Sequence, residues 1–122
     1  MPKDVQIGWL AEPEDHDYPA AMSYLTLIFD EGRAAGYAQK LQQAQVTPFR
    51  AKDIFRASGL SLLGVSNKHV DKDREKIEAG KKLSPVLLVR GSEGKLIIAD
   101  GYHRLCAVYS YDEDAVIPGK IV

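Results

Sequence analysis

The chain has 122 residues and a mass of 13.5 kDa, the length of one domain, and its 45% hydrophobic and 27% charged residues are those of a globular protein rather than a disordered one. Sixteen basic residues against seventeen acidic ones leave a formal charge of -1, which counts against a nucleic-acid-coating surface. Cys106 is the single cysteine, so an internal disulfide and a four-cysteine zinc site are both excluded. No apolar run reaches the ~20 residues of a membrane-crossing helix, and the start MPKDVQIGWL lacks a signal peptide's apolar stretch. A soluble cytoplasmic protein is the expectation.

VQIGWL reads as a short extended segment, followed by an acidic surface loop of Glu12, Glu14, Asp15 and Asp17. A helix is expected from Pro19, with Asp17 as its cap and Ala21, Tyr24, Leu25 and Ile28 at helical spacing. Asp30-Glu31-Gly32 marks its end, Gly32 supplying a left-handed residue, and a second helix runs from about Arg33 to Gln45. Two helices so closely linked should form a hairpin, with Tyr18, Tyr24 and Tyr37 packed between them. Thr47-Pro48 breaks the pattern, Lys52–Ser58 forms a short helix ended by Gly59, and LSLLGV is ambiguous. A helix is expected from Asp71 to Gly80. VLLVR and KLIIAD, joined by GSEG, read as a β-hairpin whose unbroken apolar runs imply cover on both faces. HRLCAVYSY is a helix, and AVIPGKIV a last strand that Pro118 places near a sheet edge. The fold class is α/β in the broad sense (α+β): a small mixed sheet with surrounding helices in one domain, residues 1–45 forming a helical hairpin and 46–122 the core.

The segment that carries chemistry is Ile97–Ala107. An apolar strand runs into Asp100-Gly101 and then directly into a helix. That junction leaves unpaired N–H groups, with partial positive charge, at the helix start. Gly101 lets a ligand approach the backbone, Arg104 adds a planar fork suited to phosphate oxygens, and His103 adds a donor that titrates near neutrality. Together they form an anion site, most plausibly for phosphate. Asp100 taken alone is favoured as a helix cap, and Cys106, four residues after Tyr102, as a small buried apolar group.

These residues resemble a known superfamily. Asp100-Gly101-Tyr102-His103-Arg104 with Ala107 is similar to the Gly-x-x-Arg-x-x-Ala phosphate motif of the ParB N-terminal domain and to the Gly-Gly-Cys-His-Arg motif of sulfiredoxins. It is most similar to the Asp-Gly-His-His-Arg motif of ParB-like free-serine kinases. Val70–Gly80 and Leu83–Val89 resemble the superfamily's preceding helix, turn and first strand, so residues 46–122 are covered and the N-terminal hairpin is not. The resemblance implies that Gly101, Tyr102, His103 and Arg104 hold nucleotide phosphates, with Asp100 orienting Arg104 or a magnesium ion. ATP, ADP or CTP with Mg2+ is the implied cofactor set, and Asp100 and His103 are the candidate catalytic groups for phosphotransfer or nucleotide hydrolysis. Sulfiredoxin chemistry is not expected, because Tyr102 stands where a nucleophilic cysteine is needed and a phenol of pKa near ~10 is no substitute for a thiolate.

A second polar group, Ser66-Asn67-Lys68-His69, precedes the Asp71 helix; in the superfamily this loop reaches the nucleotide, which adds Asn67 and His69 to the candidate binding residues. His69 is also positioned to approach His103. The alternating charges from Lys68 to Lys76 read as a solvated helix face, and no histidine spacing supports a metal site. Arg50, Lys52 and Arg56 form a small basic patch diluted by Asp53, and Trp9 reads as a core anchor. The expected partner is a nucleotide or a phosphorylated small molecule, with no membrane. The alternative is a non-catalytic module for homodimer or protein-partner contact. DNA binding or nuclease activity is disfavoured, because charge is balanced and the chain reaches Val122 without a helix-turn-helix.

Overall fold

The computed structural model describes residues 6–64, 66–91 and 94–122. Its class is α+β. Helices α1 (Asp17–Leu25) and α2 (Glu31–Gln43) come first, then β1 (Thr47–Arg50), α3 (Ala51–Ser58) and α4 (Lys68–Glu78). The chain finishes with β2 (Val86–Arg90), β3 (Leu96–Asp100), α5 (Tyr102–Tyr111) and β4 (Val116–Ile121). The four strands make a mixed sheet in the order β1-β4-β2-β3, with β2 and β4 parallel and the other neighbours antiparallel.

Side chains alternate between the faces of a strand, so an unbroken apolar run must feed two cores. Leu87 and Val89 of β2, with Ala99 of β3, pack under the N-terminal hairpin against Tyr18, Ala21, Leu25, Ala34 and Leu41. Val86, Leu88 and Ile98 face the opposite way, onto α3, α4 and α5 through Ile54, Val70, Ile77, Leu105 and Val108. The hairpin therefore covers the second face of the sheet, and both faces of VLLVR are buried as its composition implied. Trp9 packs against the larger core and forms a parallel bridge with Leu83.

Several expectations are corrected. Thr47-Pro48 does not end ordered structure but opens β1, and β4 lies between β1 and β2 rather than at an edge. Pro118 is tolerated there because it faces Pro48 across the antiparallel pair. Two residues without N–H groups can share only a non-hydrogen-bonded position of that pair, and on its other side β4 pairs with β2 only from Gly119 onward, so no ladder bond is lost. Helix α1 begins at Asp17, not Pro19, and Asp17 is buried rather than capping. Asp30 does not close α1; it caps α2 by accepting from the Arg33 amide at 2.9 Å, and Gly32 lies inside α2. Tyr24 is 42% exposed, so Tyr18 and Tyr37 pack without it. Helix α4 starts three residues before Asp71, at Lys68, because Asn67 caps it.

The acidic loop is also more than surface. Lys120 of β4 is buried on the hairpin face, where its ammonium donates to the Gln42 carbonyl at 3.1 Å and pairs with Glu12 at 3.2 Å. It also lies 5.4 Å from the centre of the Tyr18 ring. A buried cation is tolerable only with such partners, and here they tie the loop and α2 to the sheet. The basic patch is satisfied locally: Lys52 pairs with Asp114 at 2.6 Å, Arg56 with Asp53 at 3.7 Å, and Arg50 donates to the Asp114 carbonyl at 3.0 Å. Among the described residues no helix is long and apolar enough to cross a membrane.

Candidate functional site

Strand β3 passes directly into α5 through Gly101, whose φ of +103° is a conformation that side chains other than glycine's rarely adopt. Gly101 is also packed tightly: a Cβ there would stand 2.7 Å from Val86 Cγ1 and 2.9 Å from Arg104 Nη2. The glycine thus lets the turn lie against β2, and it starts α5 with no side chain capping the first turn. The amides of Tyr102, His103 and Arg104 are first-turn donors, which have no partner within their own helix.

Asp100 does not cap α5. Its carboxylate pairs with Arg104 Nη2 at 3.1 Å, across one helical turn. Arg104 is further fixed by donation from Nε to the Ser84 carbonyl at 3.0 Å and from Nη2 to the Pro85 carbonyl at 3.3 Å. Among the described residues Nη1 makes no hydrogen bond, so the guanidinium is a clamp on the β2 turn with one terminal nitrogen left over. Burial pushes the Asp100 carboxyl above the ordinary aspartate range; Arg104 pulls the other way, and the Asp17 carboxylate adds to the rise. Asp17 accepts from the Ser84 hydroxyl and from the Glu14 amide, the latter at 3.0 Å. The clamp therefore reaches through Ser84 to α1.

The open side of the corner is a cavity of about 220 Å³ lined by α4 and α5. From α5 and the turn come Asp100, Gly101, Tyr102, His103 and Arg104. From α4 come His69, Lys72, Asp73 and Lys76. With Asn67 as cap, positions 69, 72, 73 and 76 fall on one face of α4. The rings of His69 and His103 approach to 4.9 Å between centroids, inclined at 47°. Tyr102 stacks loosely beside His103 at 5.5 Å, its hydroxyl donating to the Ser61 carbonyl. Burial pushes the His103 imidazole below the ordinary histidine range, neighbouring His69 lowers it further, and Asp73 opposes both. Asp73 lies 3.8 Å from Lys76.

The structure thus brings together every candidate except one. Asn67 does not face the cavity; its carboxamide oxygen accepts from the His69 and Val70 amides at 3.0 and 3.2 Å, which is what starts α4 where it does. Lys72, Asp73 and Lys76 were dismissed by their alternating charges, yet they join the site. The signal was available in their spacing: His69, Lys72, Asp73 and Lys76 fall at i, i+3, i+4 and i+7, on one face of a helix that the Asn67 cap starts early enough to include His69. Cys106 is fully buried and burial pushes its thiol up, so it offers no nucleophile. No element of the N-terminal hairpin lines the cavity.

As a charge arrangement the cavity holds two lysines, one of them shared with Asp73, an imidazole pair, and first-turn amides beside a fixed guanidinium. Such a set binds an oxyanion and can trade a proton with it. Asp73 and Asp100 each face a cation, at 3.8 and 3.1 Å, and among the described residues no three His, Cys, Asp or Glu side chains group as metal ligands. Comparison with protein-family models, curated proteins and solved structures finds no match to this chain.

Proposed function

We propose that the α4–α5 corner binds the phosphate group of a small phosphorylated ligand, a nucleotide being the leading class. The observation that carries this reading is the convergence of His69, Lys72 and Lys76 from one helix on the uncapped start of another, around His103. The similarity of Asp100–Arg104 to the ParB and sulfiredoxin motif supports the same reading. The cavity of about 220 Å³ would take the phosphate, and the rest of ATP, ADP or CTP would lie outside it. Magnesium, where needed, would arrive bound to the phosphates.

In this reading His103 and the lysines contact the anion, whereas Arg104 and Asp100 act mainly by holding the turn. Binding is the function proposed. The test is calorimetric titration with inorganic phosphate, ATP, ADP and CTP, with and without Mg2+, on wild type and Lys72→Ala/Lys76→Ala. Loss of two lysines should weaken binding at least tenfold and flatten its salt dependence. Equal affinity of the two proteins, or no heat with any of the four ligands, would refute it.

A second reading, a module for self-association or partner contact, is favoured by one feature. Tyr24, Leu27 and Ile28, at the end of α1 and the following turn, are 42%, 83% and 46% exposed. Light scattering decides it: a monomer at all concentrations would remove the homodimer form.

A further inference from the structure

A larger cavity lies elsewhere. A groove of about 670 Å³ runs between α3 and the sheet, on the end of the molecule that carries the β2–β3 turn. Its floor is apolar and comes from every strand: Phe49 of β1, Ile121 of β4, Leu88 of β2 and Leu96 of β3, with Ile54 of α3 along the side. Leu88 and Ile54 are buried members of the main core, so the groove reaches the core itself and is not a surface dimple. Its volume is that of a small-molecule site, which spans roughly 300–1,000 Å³.

The polar side chains on its lining are Arg50, Arg90, Lys95 and Asp53. Three are cations. The single carboxylate already faces Arg56, at 3.7 Å. Arg90 and Lys95 lie at opposite ends of the β2–β3 connection, and among the described residues neither is in an ion pair. Among the described residues no hydroxyl or carboxamide side chain lines the groove, and its floor offers no polar side chain. What the described residues offer is apolar area and an excess of cations over the one carboxylate.

From this combination we infer a second ligand site, for a small amphipathic carboxylate: an alkyl or aryl tail on Phe49, Ile54, Leu88, Leu96 and Ile121, and the carboxylate at Arg90 and Lys95. Charge complementarity selects an anion over a cation or a neutral apolar molecule. Arg90 and Lys95 stand at the turn end of β2 and β3, while Arg50, at the far end of β1, is engaged by the Asp114 carbonyl; this sets the direction in which the ligand lies. This site shares no lining residue with the phosphate corner, so the two stand or fall separately.

The test is a homologous series of straight-chain carboxylates, from hexanoate to dodecanoate below their micelle concentrations, titrated against the full chain by calorimetry. Each added methylene placed on the floor should tighten binding about fourfold until the floor is covered. The alkylamine of equal length should bind at least tenfold more weakly. Arg90→Glu should weaken the carboxylate at least tenfold and leave or improve the amine, a reversal that general loss of structure does not produce. Ala57→Trp, at an exposed α3 position on the lining, should block the groove while the circular dichroism and the melting temperature stay near wild type. A flat chain-length series, equal affinity for amine and carboxylate, or binding unaffected by Ala57→Trp would each overturn the assignment. So would a dimer in light scattering that Ala57→Trp dissolves, since a second copy would then occupy the groove.

Discussion

Replacing Gly101 by alanine perturbs the junction that positions the phosphate corner, and its cost divides into two parts. The φ of +103° is unfavourable for any residue with a Cβ, by about 1–2 kcal/mol. The new Cβ would also meet Val86 Cγ1 at 2.7 Å and Arg104 Nη2 at 2.9 Å, closer than van der Waals contact allows. Relieving such overpacking costs about 1–3 kcal/mol more. Gly101→Ala should therefore lower unfolding free energy by about 3 kcal/mol in urea denaturation. Gly80 is the control, because its φ is +74° but nothing lies within 4 Å of its missing Cβ. Gly80→Ala should cost about 1 kcal/mol, the conformational part alone. A further check is Gly101→Ala in a Val86→Ala background, where removing the clashing methyl should recover about 1–2 kcal/mol as a coupling energy. Equal costs for Gly101→Ala and Gly80→Ala, or no coupling with Val86, would refute the close approach of the turn to β2.

Three further outcomes are expected. Lys120→Ala should destabilise by about 2–3 kcal/mol, by removing the buried stem and its ties to Gln42 and Glu12. The Lys120 ammonium is held above its ordinary range: burial lowers it, and the Tyr18 and Glu12 contacts outweigh that. The stabilisation from its charge is therefore complete below the unfolded lysine value and lost as pH rises through the folded one, so the gap between wild type and variant should narrow at strongly alkaline pH, leaving the part due to the buried stem. His103 has the opposite sign: its pKa is depressed by burial and by His69, so its contribution is present above the unfolded value and lost as pH falls through the folded one. His103→Gln should flatten that acid-side slope in urea titrations, and saturating phosphate should raise the wild-type imidazole pKa in NMR. Cys106, fully buried, should react with a thiol reagent only at the rate of opening, and the same reagent should react at once in urea.

Much of this fold was legible because local chemistry and packing agree. VLLVR reads as doubly buried because both sheet faces have cover, and the Asp100–Arg104 strand–turn–helix junction is where its order of residues places it. The misreadings share one cause, long-range partners with no mark in the local sequence. Thr47-Pro48 looks like a break, and becomes a strand only because Pro118 lies opposite. Asp17 looks like a solvated cap, and is buried because Ser84, far along the chain, donates to it. Lys120 gives no local sign that Gln42 and Glu12 await it. Within the candidate site, the motif residues Asp100–Arg104 do line one corner, where Arg104 is held by Asp100 and two carbonyls, and His69, Lys72 and Lys76 of α4 line the same cavity. Asn67 shows how a single cap residue changes the reading, since starting the helix three positions earlier brings His69 into it, one turn before Lys72 and on the same face as Lys76.

The most direct test of the phosphate corner is a titration of the isotope-labelled protein with inorganic phosphate, followed by amide and imidazole NMR signals. Binding there predicts downfield shifts confined to the amides of residues 101–104 and to the His69 and His103 rings, saturating together with one dissociation constant. Shifts that are absent at these positions, or that fail to saturate while appearing across the surface lysines, would contradict it.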